Sequence, residues 1–265
     1  MARRDEPQER FRRLERLGEG ATATVWRCED LRTGAQCALK VLHPGLVVSP
    51  PARMRFTLEA RVLQTLRHRH VIGLVEAATD GAEPCIAMEL APGGTLEERV
   101  PEGGVAPEVA TSLLLQVSKG VRAAHEAGIV HRDLRPSSVL FGTRDVAKVS
   151  DFGSARIRGG GGTLEPTASR LLAYRAPEQR ADPRCADPAS DIYALGAILY
   201  TLLTGRTPPD LFAAEKAPEL LAGLPEPFAA VVSRATRYAP AQRYPDAFAL
   251  ARGVHVASLD LARRS

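Results

Sequence analysis

Two short runs of the chain place carboxylates where chemistry can be expected of them. The first is Val130-His131-Arg132-Asp133-Leu134-Arg135-Pro136, with Ser138 five residues after Asp133. The second is Ser150-Asp151-Phe152-Gly153, in which Asp151 follows Asp133 by 18 residues. Two carboxylates at the ends of short strands suit one general base and one ligand for a divalent cation. Upstream, Cys37-Ala38-Leu39-Lys40 carries a lysine flanked by apolar residues, and Glu59, 19 residues later, is a natural ion-pair partner for it. Gly18-x-Gly20-x-x-Ala23-x-Val25 is a glycine-rich turn whose backbone N–H groups can approach phosphate oxygens closely. Taken singly, each has a plainer reading: a hairpin turn, a lysine snorkelling from a sheet, a surface acid, an aspartate in a turn. Their order, continued by Ala176-Pro177-Glu178 and Asp191-x-x-x-x-Gly196, is very improbable by chance.

The elements that must position these residues follow from periodicity and breakers. Residues 11–42 are strand-like, with turns at Gly18-Glu19-Gly20 and Arg32-Thr33-Gly34. After a loop at 44–51, Met54, Leu58, Val62, Leu63 and Leu66 recur at helical spacing and predict a helix over 52–66. Short strands are predicted at 71–75 and 85–90, and Ala91-Pro92-Gly93-Gly94 breaks the pattern. Beyond it, Pro107 opens a helix whose apolar face includes Val109, Leu114, Val117 and Val121, and Gly128 stops it. Short strands return near Ile129, at Val139–Phe141 and at Ala147–Val149, a flexible glycine loop is expected at 159–162, and helices at 190–203, 227–236 and 245–262. The reading is a polar tail at 1–10, a β-rich part with one helix at 11–90, and a larger helical part at 91–265. That is an α+β chain of two lobes, with a hinge near 89–94 and a cleft that is the default ligand site.

Composition sets bounds on function. The chain has 265 residues, 45% of them hydrophobic and 25% charged, which excludes collagen, coiled coil and wholesale disorder. Basic residues comprise 31 Arg and 4 Lys, and Asn is absent, a skew that fits a GC-rich, bacterial genome. The net charge of +4 comes from arginines interspersed with acids, so no nucleic-acid partner is expected. Cys28, Cys37, Cys85 and Cys185 form no CxxC pair and suggest a reducing, cytoplasmic setting. No leader is visible, and the longest uncharged apolar segment, 192–205, falls short of the ~18 residues of a membrane span. A soluble chain is expected, with any anchor on a partner or on sequence outside it.

The ordered motifs resemble the eukaryotic-like protein kinase family as found in bacteria, over residues 11–260. The resemblance implies a bilobal α+β kinase fold that binds ATP with Mg²⁺ or Mn²⁺. Gly18 and Gly20 would cover the phosphates, Lys40 would hold the α- and β-phosphates and pair with Glu59, and Asp151 would bind the metal. Asp133 would orient the substrate hydroxyl and accept its proton, with Arg135 as a second charge clamp. Met88 resembles the gatekeeper, Glu89 to Ala91 the adenine-binding hinge, and Val25, Ala38 and Leu140 the adenine sandwich. Leu63, Leu74, His131 and Phe152 resemble the internal spine, Glu178 and Arg243 the structural ion pair, and Asp191 the brace of the catalytic loop. Arg132 suggests control by a phosphate on Ser154, Thr163, Thr167 or Ser169.

Four positions depart from the family pattern. Ala23 replaces the third glycine, and Arg135 the catalytic-loop lysine. Ser138 replaces the metal-binding Asn; as a shorter ligand it would lower the rate by about 10²–10³. Leu171 stands three residues before Tyr174, where Thr is usual, with Ser169 able to serve on a two-residue shift. Two readings therefore stand: a working but slow Ser/Thr protein kinase, or a pseudokinase that binds nucleotide or a regulatory protein partner as a scaffold. The joint presence of Lys40, Glu59, Asp133 and Asp151 favours the first. A small-molecule phosphotransferase fits less well, because that class tends to lack Ala-Pro-Glu and the Asp191 helix.

Overall fold

The alternation of β3 (Gln36–Leu42) decides which side of the molecule receives the lysine. In the computed structural model, which describes residues 7–157, 172–214 and 217–264, β3 is the middle strand of an antiparallel five-stranded sheet. The others are β1 (Phe11–Glu19), β2 (Ala23–Asp30), β4 (Leu74–Ala78) and β5 (Cys85–Glu89), in the order β1-β2-β3-β5-β4. Cys37, Leu39 and Val41 face an outer apolar layer with Phe11, Cys28, Cys85 and Ala87. Side chains alternate along a strand, so Ala38, Lys40 and Leu42 share the opposite face, and Leu42 there joins the main core. Register extends this face: Val25 lies opposite Lys40, and Met88 opposite Ala38. The lysine therefore points inward, not outward into solvent.

Under that face lies α2 (Pro50–Thr65), which starts with proline in its first turn. It buries Phe56, Glu59, Ala60, Val62 and Leu63. Glu59 is in the same stripe as Val62 and Leu63, three and four residues on, so helical geometry carries a carboxylate into the core. Residues 71–73 do not extend β4, as periodicity suggested. Ile72 N–H donates to the Val149 carbonyl at 2.9 Å, and Val71 forms an isolated bridge with Val149. Val71 and Ile72 thus bond to the second lobe, while the Gly73 carbonyl accepts from Glu89 N–H of β5 at 2.8 Å. At the other end, Pro7–Arg10 forms a helical turn (α1) where a polar tail was expected, and Arg10 pairs with Asp30 at 2.6 Å.

The second lobe is mainly helical. It contains α3 (Leu96–Arg99), α4 (Pro107–Glu126), α5 (Pro177–Ala181), α6 (Pro188–Thr204), α7 (Glu226–Ala235) and α8 (Ala247–Arg264). It also contains two small antiparallel pairs: β6 (Ile129–Val130) with β9 (Arg156–Ile157), and β7 (Val139–Phe141) with β8 (Ala147–Val149). Every residue of α6 from Ser190 to Leu203 is buried, as expected of a helix apolar on all sides. Asp187 caps its start by accepting from Ala189 and Ser190 N–H, and Gly205 ends it in the left-handed region. α4 passes so close to the His70 carbonyl that a Cβ on Gly120 has no room. Helices α3 and α5 are too short to show a periodicity in sequence. Among the described residues, no helix is long and apolar enough to cross a membrane. The four thiols are free, three buried and Cys185 exposed.

Candidate active site

The sheet, α2 and the turn after β8 meet at one ammonium group. Lys40 Nζ donates to Glu59 Oε1 at 2.8 Å, to Glu59 Oε2 at 2.9 Å and to Asp151 Oδ1 at 3.1 Å. Burial works against the charged lysine, but the two carboxylates outweigh it and hold its pKa above the ordinary value. Burial pushes the Glu59 carboxyl up. Asp151 lies between the lobes but opens to the cleft, with its side chain 57% exposed. Desolvation works against its charge, and Lys40 outweighs that, leaving its carboxyl below the usual range. Gly153 permits this closeness: a Cβ there would lie 3.2 Å from Glu59 Oε2.

Asp151 and Arg132 both have positive φ, 61° and 72°, in a region non-glycine residues rarely adopt. Such backbone persists only where its surroundings determine it. Asp191, 1% exposed on α6, supplies much of that for the catalytic loop. It accepts from the backbone N–H of His131 at 2.8 Å and of Arg132 at 2.9 Å, and from His125 Nε2 at 2.8 Å. Burial opposes its charge, but the His125 hydrogen bond and the neighbouring imidazoles keep its pKa low. His131 joins the two motif runs. Its Nε2 donates to the Ser150 carbonyl at 2.8 Å, and its Nδ1 accepts from Asp133 N–H at 3.3 Å. Its ring packs 4.7 Å from that of the fully buried Phe152.

Asp133 lies between two guanidinium groups. Arg175 Nη2 is 3.6 Å from Oδ1, and Arg135 Nε is 3.9 Å from Oδ2. Ser138 is 2% exposed. Its Oγ donates to the Arg135 carbonyl at 2.8 Å and accepts from Arg135 N–H at 2.9 Å. The hydroxyl expected to bind metal thus has its proton and one lone pair engaged inside the loop. The Ser138 carbonyl also accepts from Ser150 N–H at 2.8 Å, tying the loop to the residue before Asp151.

Of the residues predicted to hold nucleotide, several share one face of the sheet or flank the connection between the lobes. Val25 and Ala38 lie on the sheet face of Lys40, and Met88 pairs with Ala38. Leu140 is bridged to Thr95, just past the hinge, while Ala91 is half-buried. Glu89 belongs to the hinge by position, but its side chain turns behind it, forming an ion pair with Lys148 Nζ at 3.0 Å and accepting from Gly73 N–H at 3.2 Å. Among the described residues, no atom lies within 4 Å of a Cβ built on Gly18, and Gly20 is nearly as open. Glu178 and Arg243 form the two-point pair, both contacts 2.7 Å, with Ser190 Oγ donating to Glu178 Oε1 at 2.8 Å. Arg132 is 3% exposed, and its guanidinium donates to the Pro183 carbonyl. Of the acceptors considered for regulation, Ser154 is half-buried in the turn after Asp151. Thr163, Thr167 and Ser169 lie outside the described residues, as do Leu171 and the glycine loop at 159–162.

Sequence reasoning missed Arg175 and Gln179. Gln179, 3% exposed, donates to the Arg132 carbonyl at 2.9 Å and accepts from Ala176 N–H at 3.3 Å. It also missed what Lys148 does, although its being one of only four lysines was a visible signal.

A two-lobed fold with this Lys–Glu–Asp cluster between its lobes is the arrangement of a protein kinase domain. The family model "Protein kinase domain" matches residues 11–222, and the chain belongs to that family. Among curated relatives, the serine/threonine-protein kinase PknL of Mycobacterium tuberculosis is 34% identical over 93% of this chain and 65% of its own length. PknB of Mycolicibacterium smegmatis is 34% identical over 76% of this chain and 33% of its own, and Pkn2 of Myxococcus xanthus 34% over 76% and 25%. The chain thus spans less than two thirds of the length of each of these relatives.

Proposed function

We propose that this chain is an ATP-dependent protein kinase that transfers the γ-phosphate of ATP to Ser or Thr hydroxyls of proteins. One observation carries the reading: Lys40 is already engaged by Glu59 and Asp151, so sheet, α2 and metal-binding turn are in register. Phosphoryl transfer needs positioning and charge neutralisation more than covalent chemistry. Lys40 and Arg135 supply positive charge toward the phosphates. Asp133, 26% exposed at its side chain, orients the substrate hydroxyl and accepts its proton. Val25, Ala38 and Leu140 enclose the base, and the open room at Gly18 and Gly20 lets backbone N–H groups approach phosphate.

Asp151 fits a hard divalent cation, since Lys40 takes Oδ1 and the carboxylate still opens to the cleft. Bound there, Mg²⁺ or Mn²⁺ would neutralise phosphate charge. Ser138 fits this role less well and serves mainly to shape the loop. Substrates are expected to be cytoplasmic proteins, in keeping with free buried thiols.

The test is phosphate incorporation by the purified chain with Mg²⁺-ATP, and separately Mn²⁺-ATP, beside Asp133→Ala. Incorporation that disappears in Asp133→Ala is expected. If folded wild-type protein incorporates no more than that variant, the scaffold reading replaces this one.

A further inference from the structure

Arg175 is 7% exposed, and a guanidinium so enclosed needs a negative partner. It has one in Asp133, 42 residues earlier, at 3.6 Å. The backbone at Arg175 is itself held, its N–H donating to the Leu172 carbonyl at 3.0 Å and its carbonyl accepting from Arg180 Nε at 3.1 Å. Four residues on, Gln179 bonds the carbonyl of the strained Arg132. The Tyr174-to-Gln179 segment therefore grips the catalytic loop at two adjacent residues.

We propose that Arg175 is the positioning residue for Asp133, holding the carboxylate toward the substrate hydroxyl from the side opposite Arg135. The inference rests on the kinase reading above. The distances fit the role. At 3.6 and 3.9 Å the two arginines orient Asp133 by charge without the close contact of a hydrogen bond. Its lone pairs remain for the hydroxyl whose proton it accepts. Arg175 touches no reacting atom; it acts through Asp133.

The test compares wild type, Arg175→Met and Arg175→Lys in the full chain, with Arg175→Gln as a second neutral variant should the methionine variant not fold. The neutral variant is expected to lower kcat about 10–100-fold, the scale on which a misplaced catalytic group acts. KM for ATP and nucleotide affinity should stay within about 2-fold, because Lys40 and the hinge are untouched. Arg175→Lys should recover most of the rate. Wild-type kcat in the neutral variant overturns the inference. So does a loss of rate matched by equal losses of nucleotide affinity and melting temperature that lysine does not rescue.

Amide hydrogen exchange at 131–138 reads the brace without catalysis. Faster exchange is expected in the neutral variant and near wild-type exchange in Arg175→Lys. Unchanged exchange in the neutral variant overturns the proposal even if the wild type proves inactive. An inactive wild type with loosened exchange would instead refute the kinase reading and leave the brace standing.

Discussion

The Glu59 carboxylate grips the Lys40 ammonium with both oxygens, at 2.8 and 2.9 Å, and is itself only 3% exposed. Removing one partner of such a pair leaves an uncompensated charge in the core, which costs ~3–5 kcal/mol. Lys40→Met should therefore lower the unfolding free energy by about 3 kcal/mol and reduce phosphate transfer by at least about 10²-fold. Lys40→Met combined with Glu59→Met should regain most of the stability and none of the activity. Denaturant unfolding of the three proteins checks this; additive losses would show that the pair does not hold the site together.

Ser138 gives the second prediction. Its hydroxyl makes two bonds to the Arg135 backbone, so Ser138→Ala should destabilise the chain by about 1–3 kcal/mol by orphaning a buried N–H. The Mg²⁺ concentration giving half-maximal rate should stay within about 2-fold, while Asp151→Asn should raise it far more. A large rise in Ser138→Ala would restore the hydroxyl to the metal's ligands.

Much of this site was legible because its parts are local. Asp133 and Asp151 each sit in a run whose neighbours announce a strand end, and Lys40 sits inside an apolar strand, where alternation puts it on one face with Ala38 and Leu42 but does not say which face is inward. What stayed hidden depends on pairings between distant segments or on side-chain direction. Arg175 reaches Asp133 across 42 residues, and its own neighbourhood describes only a helix start. Glu89 was placed in the hinge, but only packing shows that its side chain turns back to Lys148. Val71 and Ile72 carry a strand pattern, yet their partner is Val149 of the other lobe. No periodicity reports that choice.

Acid should loosen the second lobe through Glu178. Burial opposes its charge, but Arg243 outweighs that and holds its pKa below the ordinary 4.5. A carboxylate with a depressed folded pKa stabilises fully above its unfolded value, and the gain is lost as pH falls through the folded one. Stability should thus be flat above pH 4.5 for this group and decline below it. Glu178→Gln leaves Arg243 buried without its counter-charge, so it should be less stable at pH 7 by ~3–5 kcal/mol, with a shallower decline in acid. Urea unfolding from pH 7 to 3 separates the outcomes; parallel curves would mean that Glu178 does not contribute to acid sensitivity.

Two glycines should respond differently to alanine, one in stability and one in nucleotide binding. On α6, a Cβ at Gly196 would lie 2.6 Å from Ala235 Cβ and 3.0 Å from Thr236 Cγ2, both in fully buried residues at the end of α7. Alanine gains about 1 kcal/mol over glycine within a helix. Overpacking a rigid contact costs ~1–3 kcal/mol, and more where neither side can yield. Gly196→Ala should then destabilise by about 1–2 kcal/mol, and adding Ala235→Gly should recover part of it. At Gly18 no described atom lies within 4 Å, so Gly18→Ala should leave the melting temperature unchanged. Its effect should instead fall on the nucleotide, as a raised KM for ATP, because the added methyl occupies the room through which phosphate approaches the backbone. A Gly18→Ala protein that lost stability but kept its KM would place that glycine in the fold, not the site.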